Sequence, residues 1–315
     1  MKTRTTGPAV PHEGMQHLPG GSYTMGSERF YEEERPLRPV RVDPFWIDET
    51  PVTNAAFAAF VAATGHRTLA EIAPDPKDYP GLDPALAVAG SLVFQPTEAP
   101  VQLHDHAQWW AFVEGADWRH PTGPDSSIQG LEDHPVVHIA FADAEAYAKW
   151  AGKALPTEAE WEFAARGGLV DAEYAWGDEL SPGGAILANF WQGMFPFATL
   201  KPDGKFRTSA VRSFPPNGYG LSDMIGNVWE WTRDWYAAAQ TVKRSCCQAV
   251  NPRGATIGES YEADAVRIGR KVLKGGSHLC AVNYCQRYRP AARHPQMIDS
   301  ATSHIGFRCV SRRAA

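Results

Sequence analysis

Apolar residues recur at helical spacing in separate segments of the chain, and each such segment predicts an amphipathic helix. The first helix begins after Thr53, a favourable N-cap residue, and stops at Gly65. The second runs from about Asp143 to Gly152. The residues expected to face the core are Phe57, Phe60 and Val61 in the first helix and Ala144, Tyr147 and Trp150 in the second.

The third helical segment carries the clearest local signal. Thr157 and Glu160 have the spacing of a capping box, in which each side chain accepts a backbone N–H from the other residue. Gly167 and Gly168 then end the helix, because glycine is the favoured residue just past a helix C-terminus. One face is lined by Trp161, Ala164 and Ala165.

Short alternating segments predict strands. The segment from Leu18 to Gly26 is typical of a turn, a strand and a second turn, and Val40–Val42 alternates like a strand that should pair with it or lie close to it. The apolar run Pro135–Ile139 predicts a buried strand. Residues 1–13 have no periodic apolar face, so we expect a disordered tail there and order from near His17.

Turn-forming residues dominate the remaining segments. The chain has 315 residues with 28 Gly, 25 Pro and 11 Trp, which favours many loops held by aromatic packing. Ala70–Gly123 predicts a long structured loop region, and helical periodicity fades after Gly168. Because no repeat or linker composition occurs between residues 14 and 311, we predict one domain over residues 14–315.

The charge balance argues against nucleic acids and anionic membranes as partners. A formal net charge of -6 and a pI near 6.0 provide no field to attract nucleic acid or an anionic membrane. No run of about 18 apolar residues occurs, and no apolar run follows Lys2 and Arg4. We therefore expect a cytoplasmic, unanchored monomer.

The five cysteines are Cys246, Cys247, Cys280, Cys285 and Cys309, an odd number in the last quarter of the chain, which does not suggest a disulfide framework. Cys280 and Cys285 could converge on a soft ion, and the absence of His or carboxylate between them favours Cu(I) over tetrahedral zinc. Two buried or disulfide-paired cysteines are the alternative interpretation. A zinc site completed by Cys246 and Cys247 is disfavoured, because neighbouring side chains of an extended segment point to opposite faces.

Other polar residues allow similar alternatives. His134 and His138 would be about 13 Å apart on a strand, too far for one ion. His278 and His304 are better candidates for a polar pocket, although a structural role is open for each. A calcium site in the loops could use carboxylate and amide oxygens, but the residues alone favour ordinary turn and cap roles over calcium binding. This oxygen-rich group contains Asn189, Asp203, Asp223 and Glu230.

Nothing in the chain resembles a phosphate-binding glycine loop, a nucleophile elbow or a zinc-protease helix. Instead, a series of motifs from about His17 to Val310 resembles the sulfatase-modifying factor family, the formylglycine-generating enzymes. The resemblance implies a loop-rich α+β fold, distantly similar to C-type lectins. The motifs are Leu18-Pro19-Gly20-Gly21, Leu155-Pro156-Thr157-Glu158-Ala159-Glu160-Trp161-Glu162, Asn217-Gly218-Tyr219-Gly220-Leu221, Gly226-Asn227-Val228-Trp229-Glu230-Trp231, Lys274-Gly275-Gly276-Ser277, Arg287-Tyr288-Arg289 and Gly306-Phe307-Arg308-Cys309.

The resemblance implies metal sites at defined residues. Cys280 and Cys285 occupy the positions that bind Cu(I) in active members, and relatives without activity generally lack this pair. Two structural calcium sites are also implied. The first would use Asn189 and Asp203 with the carbonyls of Phe190 and Lys205, and the second Asp223 and Glu230 with the carbonyls of Gly226 and Val228.

The activity implied is oxidation by O2, with a reductant, of the cysteine in a Cys-x-Pro-x-Arg motif of an unfolded sulfatase to Cα-formylglycine. Ser277 and Tyr284 would bind oxygen species or the substrate sulfur, and Trp229 would shape the pocket; ordinary packing is the alternative for all three. Two other functions remain open at this point. They are an iron-dependent sulfoxide synthase, which shares the fold, and a non-catalytic lectin-like binding module.

Overall fold

The computed structural model describes residues 12–79, 81, 83–84, 87–201, 207–238, 248–262 and 267–312. Three α-helices occur in this part of the chain, in agreement with the helical spacing of the sequence. They are α1 (Asn54–Thr64), α2 (Phe141–Trp150) and α3 (Glu158–Ala165). The short helices and many loops make a small mixed domain of the predicted α+β class.

The strands form several small sheets instead of one large one. A four-stranded sheet in the order β10-β9-β7-β11 lies at the centre, and β11 is parallel to β7. Its strands are β7 (Trp229–Trp235), β9 (Arg270–Lys274), β10 (Arg293–Met297) and β11 (Ile305–Gly306).

Two three-stranded sheets and one hairpin complete the described architecture. The first sheet has β1 (Met15–Leu18), β4 (Phe45–Asp48) and β12 (Val310–Ser311), with β4 in the middle. The second has β2 (Gly21–Met25), β3 (Arg38–Val42) and β8 (Ala249–Val250), with β3 in the middle. The hairpin pairs β5 (Gly90–Phe94) with β6 (Trp110–Glu114).

The predicted ends of α1 are confirmed. Thr53 Oγ1 accepts the Ala56 N–H at 3.3 Å, and Gly65 adopts the left-handed conformation that ends the helix. Helix α2 starts at Phe141, two positions before the predicted start, because Asp143 serves as the third residue of a capping arrangement and accepts the Ala140 N–H at 3.0 Å. Trp150 was expected to face the core, but 44% of it is exposed.

Helix α3 has the predicted capping box between Thr157 and Glu160. The sequence pattern did not reveal that all eight residues of this helix are buried. Its carboxylates are stabilised there by cations from distant segments. Glu162 accepts Lys274 Nζ at 2.9 Å, and Arg293 Nε donates to Glu158 at 2.7 Å.

Several strand predictions need correction. Pro135–Ile139 is buried but forms no strand, because His138 has a positive φ of 60° and its ring bonds to Ser91 Oγ and to Pro121 O. The region Ala70–Gly123 is not only loop, since it contains the β5–β6 hairpin. The pairing of β2 with β3 agrees with prediction.

The N-terminal boundary also differs from the expectation. Strand β1 begins at Met15, two residues before His17, and the His12 ring stacks on Trp46 at 4.3 Å. Residues 1–11 of the predicted tail lie outside the described residues. Within the described part of the chain, no helix has both the length and the apolar character required to span a bilayer.

Candidate active site

The central sheet delivers the thiol segment to the site. Strand β9 ends at Lys274, and the chain then turns through Gly275 and Gly276, which have φ angles of 89° and 71°. A Cβ on Gly276 would lie 2.5 Å from the Arg287 carbonyl oxygen. Only glycine allows this close approach, so the Gly-Gly pair fixes the path of the segment that follows.

The two thiols predicted to act together lie side by side. A turn in which the Cys285 N–H donates to Ala281 O at 2.9 Å returns the chain to Cys280. The sulfurs of Cys280 and Cys285 are 3.2 Å apart, and both residues are free thiols. Cys280 is buried, whereas Cys285 is half-buried, so access to the pair is from the Cys285 side. Cys246 and Cys247, the residues of the disfavoured zinc site, lie outside the described residues.

The pair is electrostatically asymmetric. Burial raises the pKa of a thiol, but at Cys280 hydrogen bonds from Cys285 and from the Ser277 N–H, together with Arg287, outweigh burial and lower the pKa. The hydrogen bond to Cys280 and burial raise the pKa of Cys285 well above its ordinary value. Cys280 is therefore the first of the two thiols to ionise.

An arginine beside the thiols was missed as a site residue by sequence reasoning. The guanidinium of Arg287 lies 4.1 Å from the Tyr31 ring centroid and forms an ion pair with Glu33. Tyr31 Oη accepts the Gln286 N–H at 3.0 Å, so the segment around residue 31 packs directly on the thiol loop. Arg287 belongs to a recognised motif, but only the fold shows that Tyr31 and Glu33 meet it.

Ser277, Tyr284 and Trp229 occupy different positions around the pair. Ser277 is buried, its N–H points to Cys280 Sγ at 3.5 Å, and its hydroxyl accepts the Leu279 N–H at 3.2 Å. Trp229 lies further back, against His294 at 5.6 Å between ring centroids. His294 Nδ1 is in turn 3.4 Å from Arg287 Nη1. Trp229 thus supports Arg287 through His294.

Tyr284 is part of an aromatic wall next to the thiols. Its ring stacks on Phe195, with centroids 4.5 Å apart and an interplanar angle of 5°, and meets Trp109 edge-on at 5.5 Å. Burial, followed by the charges of the two thiols, raises the pKa of Tyr284, so its hydroxyl stays protonated at neutral pH. The buried members of the wall are Phe94, Trp109, Trp191, Phe195, Leu279 and Ala281.

The candidate histidines of the pocket are neutral. Burial lowers the pKa of His278 to about 3, and its Nδ1 is 2.8 Å from Asn227 O. His304 has a pKa lowered well below the usual value, first by burial and then by His278 and other histidines, so the two predicted pocket residues are neighbours. His134 and His138 bond to separate partners, Thr208 and Ser91.

At the first predicted calcium site, one of the predicted ligands contacts a lysine. Asn189 Oδ1, which would be a ligand, accepts Lys201 Nζ at 2.5 Å. Phe190 is buried beside it. Asp203 and Lys205, the other predicted contributors, lie outside the described residues. The described side chain of this site therefore already binds a cation that belongs to the protein.

The second predicted calcium site combines acidic residues with an arginine. Glu230 accepts Arg308 Nε at 2.8 Å and Trp161 Nε1 at 2.7 Å. Burial raises the pKa of Glu230, Arg308 opposes this rise, and the nearby charge of Asp223 adds to it. Gly226 and Val228 are buried in the same segment. Glu230 is therefore paired with Arg308, whereas the Asp223 carboxylate accepts the Arg212 backbone N–H at 2.9 Å.

Within the described ranges, no group of three or more His, Cys, Asp or Glu residues converges as a metal site. Cys280 and Cys285 are only two such residues, and the predicted calcium sites combine carboxylates with main-chain carbonyls. The structure therefore brings Cys280, Cys285 and Ser277 together with Tyr284, keeps Trp229 behind Arg287, and places the predicted calcium ligands outside the thiol pair.

Comparison with known proteins gives the family context of this geometry. The family described as Sulfatase-modifying factor enzyme 1-like domain matches residues 2–313. A protein named formylglycine-generating enzyme from Mycobacterium tuberculosis is 54% identical over 297 residues, which cover 93% of this chain and 96% of the relative.

Two further similar proteins show that overall similarity does not by itself establish activity. A Bos taurus relative named inactive C-alpha-formylglycine-generating enzyme 2 is 39% identical over 308 residues, covering 94% of this chain and 87% of the relative. The solved structure of PvdO from Pseudomonas aeruginosa has a TM-score of 0.60 and 24% identity, with 94% of this chain and 93% of that chain covered. The PvdO likeness concerns the fold alone.

Proposed function

Because this chain belongs to the family of the Sulfatase-modifying factor enzyme 1-like domain, we propose that it is an oxidoreductase that converts a sulfatase cysteine to formylglycine at Cys280 and Cys285. The finer parts of the proposal are a copper cofactor and the use of O2. An inactive relative at 39% identity means that overall similarity does not decide activity. The pair of free sulfurs 3.2 Å apart is the observation that carries the proposal.

The donor set fits Cu(I). Two sulfurs in one turn, with no carboxylate or imidazole between them, provide the soft, low-coordinate environment that Cu(I) prefers over harder divalent ions. Cys280 is already the more acidic partner, and Arg287 offsets the negative charge of the pair. Cys280 and Cys285 would hold the ion, which would supply the dioxygen activation that no amino-acid side chain provides.

The overall reaction balances with a reductant. The substrate thiol R–CH2–SH, one O2 and two reducing equivalents with two protons give the aldehyde R–CHO, hydrogen sulfide and water. Loss of two hydrogens from the substrate carbon and sulfur gives a thioaldehyde, and water then replaces sulfur to leave the aldehyde and sulfide. An external thiol can supply the reducing equivalents.

The protein side chains position the reactants. The half-buried Cys285 marks the open side on which the substrate sulfur arrives. Protonated Tyr284, held flat by Phe195, can donate a hydrogen bond at that side. Ser277 fixes Cys280 through its N–H and turns its hydroxyl toward the same buried segment. Trp229 keeps His294 and Arg287 in place.

The substrate would be an unfolded sulfatase segment of the Cys-x-Pro-x-Arg type. An extended chain can bring its cysteine to Cys285 while neighbouring apolar atoms contact the aromatic wall, whereas a folded sulfatase would hide the same segment. Trp109 and Phe195 are buried, so the partly exposed members of the wall, Tyr284 and Trp110, would make this contact. A reducing cytoplasm would keep the thiols free for this work.

Calcium is proposed as a structural ion at Asp223 and Glu230, with the carbonyls of Gly226 and Val228. Carboxylate and main-chain carbonyl oxygens are the ligands that a hard cation prefers, and Glu230 would exchange its contact with Arg308 for the ion. Its removal should lower thermal stability more than it changes turnover in the folded fraction. A melting temperature that is insensitive to a calcium chelator would contradict this assignment.

One experiment separates the proposed oxidation from the two alternative functions. The purified chain is reconstituted with copper or with iron, the bound metal is counted, and the mass of a Cys-x-Pro-x-Arg peptide is measured after incubation in air with a thiol. We expect one copper per chain and the aldehyde mass only in the copper sample. Aldehyde formation only with iron, or no product with either metal, would contradict the proposal.

A further inference from the structure

The free edge of a small sheet lies beside a cleft that the thiol site does not use. Strand β2 is an edge strand, because its sheet has the order β2-β3-β8. An edge strand presents unpaired main-chain N–H and C=O groups, which can pair with the main chain of another polypeptide. The cleft beside β2 has a volume of about 360 Å³, and none of the residues that line it belongs to the thiol site.

The pairing of β3 shows which residues of β2 face its partner. Arg41 O accepts the Asn251 N–H at 2.7 Å, so the main-chain groups of Arg41 point towards β8. Because these directions alternate along a strand, the main-chain groups of Val40 point towards β2, where Val40 is opposite Tyr23. Tyr23 is therefore the residue that bonds to β3, and its two neighbours in β2 face the other way.

These neighbours, Ser22 and Thr24, direct their main-chain N–H and C=O groups to the free edge. Among the residues that the structure describes, no other segment makes a hydrogen bond to those groups. The next outward position is Gly26, whose N–H donates to Glu162 Oε1 at 2.8 Å and whose oxygen accepts Arg166 Nη2 at 3.0 Å. The edge is thus covered by side chains at Gly26 and open at Ser22 and Thr24.

The far wall of the cleft provides apolar surface for the side chains of a bound strand. Leu169 and Val170 line the cleft and are 40% and 86% exposed. Tyr219 continues this wall, with its ring stacked on Phe163 at 5.5 Å. When a peptide adds a strand to a sheet edge, main-chain hydrogen bonds supply affinity and side-chain pockets supply selectivity. The cleft therefore fits an extended polypeptide with apolar side chains.

We propose that the β2 edge and its cleft bind an extended apolar stretch of the unfolded polypeptide that carries the cysteine to be oxidised. The inference rests on the proposed function, because an unfolded substrate has main-chain groups free to pair with the edge, whereas a folded protein has already paired its own. A chain held at the cleft and at the thiols binds more tightly than one held at the thiols alone, because the second contact is intramolecular. Long substrates are thus favoured over short ones.

The test measures the binding of fluorescent peptides by anisotropy. All of them have serine in place of the cysteine of the Cys-x-Pro-x-Arg motif, so binding is measured without oxidation. The short peptide has about 12 residues, and two long peptides add a flexible linker and an alternating valine and threonine stretch on the amino or the carboxyl side, to about 40 residues, enough to reach across a domain of this size. We expect at least one long peptide to bind wild type about 10-fold more tightly than the short one.

Two variants remove different parts of the surface. Thr24→Pro removes an outward N–H and leaves the bonds to β3 intact, because proline is tolerated where a strand N–H faces away from the sheet, and it should abolish the gain of the long peptide. Val170→Ser, at an exposed position, should weaken binding of the long peptide about 3-fold. Val250→Ser is the matched control, because Val250 is also exposed but lies on β8, at the opposite edge of the sheet, and the gain should remain.

Three results would overturn the proposal. They are equal affinities of wild type for the long and short peptides, an undiminished gain in folded Thr24→Pro together with Val170→Ser, and a wild-type dimer in analytical ultracentrifugation that Thr24→Pro abolishes, since a second copy would then occupy the edge. Because the peptides contain no cysteine, these results do not depend on whether the copper-loaded protein forms the aldehyde. A failure of the proposed oxidation is therefore distinguishable from a failure of this inference.

Discussion

Cys280 and Cys309 are both buried cysteines, but their surroundings shift the thiol pKa in opposite directions. Cys280 lies 3.2 Å from the sulfur of Cys285, and hydrogen bonds from Cys285 and the Ser277 N–H, together with the charge of Arg287, lower its pKa. Cys309 is fully buried between β11 and β12, where burial and the charge of Asp48 raise its pKa well above the ordinary value. Cys280 therefore ionises more readily than an ordinary thiol, whereas Cys309 ionises less readily.

The surroundings of a cysteine therefore decide how readily its thiol ionises. A soft metal ion needs thiolates, and thiolates form where a positive charge or a hydrogen-bond donor stabilises them. Arg287 and the Ser277 N–H do so at Cys280. Near Cys309, Asp48 makes a thiolate costly, although Lys153 partly offsets that carboxylate. The Cys309 region should therefore serve packing alone.

The largest expected effect comes from removing one sulfur of the pair. Cys280→Ser or Cys285→Ser should lower turnover of the Cys-x-Pro-x-Arg peptide about 1,000-fold or more, because several kcal/mol of metal-derived stabilisation is lost. Turnover and copper content are measured together, and circular dichroism checks folding. A single variant with near-normal turnover and copper binding would remove the basis for treating the two regions as chemically different.

The next effect concerns the anchor of the thiol segment. Glu162→Gln should destabilise the fold by about 3–5 kcal/mol, because it leaves the fully buried Lys274 ammonium without its nearest carboxylate at the end of β9. Urea unfolding measures the loss. Glu49, paired with the exposed Arg212, offers a control in Glu49→Gln, whose effect should be much smaller. Equal losses would show that burial of the pair is unimportant.

The carboxylate of Glu162 also makes the stability of the fold depend on pH at acid pH. Burial would raise its pKa, but Lys274 and Arg166 outweigh burial and lower the pKa to about 2. A carboxyl with a lowered folded pKa contributes stability above its ordinary pKa and loses that contribution as pH falls toward 2. The stability difference between wild type and Glu162→Gln, followed by urea unfolding across this range, should therefore shrink below about pH 4.5.

A smaller effect is expected at the structural cysteine. Cys309→Ala should reduce stability by roughly 1–2 kcal/mol, because it leaves a small cavity in a closely packed region, while peptide turnover by the folded protein stays the same. Thermal unfolding and turnover are measured on the same preparation. Loss of copper from this variant would mean that Cys309 is more than a packing residue.

The smallest effect is the acid sensitivity of one buried histidine. Burial lowers the pKa of His138 to about 4, so the unfolded chain binds a proton below pH 6.5 that the folded chain does not. Stability should fall with decreasing pH, and His138→Gln should remove roughly 1 kcal/mol of the loss between pH 6.5 and 5.5. An unchanged pH slope in the variant would show that His138 is protonated in the fold.

Local signals in the sequence predicted local structure well. Thr53 and Thr157 cap α1 and α3 as predicted, and Gly276 allows the turn into the thiol segment. Long-range partners could not be predicted in the same way. The pairing of Arg287 with Glu33, or of Lys274 with Glu162, joins residues far apart in sequence, and no periodicity encodes it. His138 breaks a strand-like apolar run because its ring finds two buried hydrogen-bond partners elsewhere.

The sequence predicted the candidate ligands of the site but not the residues that hold them in place. Cys280 and Cys285 stood out through the motif they share, and the fold brings their sulfurs together. Tyr31 approaches them from the other end of the chain, which only tertiary structure can reveal. Asn189 shows the reverse situation, because the sequence suggested a calcium ligand there but not its contact with Lys201.

Peptide turnover with and without copper and reductant most directly tests whether a copper ion held by Cys280 and Cys285 supports oxidation of the substrate cysteine by O2. Aerobic apoprotein is assayed under all four combinations, with the aldehyde product identified by mass. We expect little product without additions or with either addition alone, and full activity only with reductant and copper together. Full activity in metal-free protein under a tight copper chelator would contradict the account.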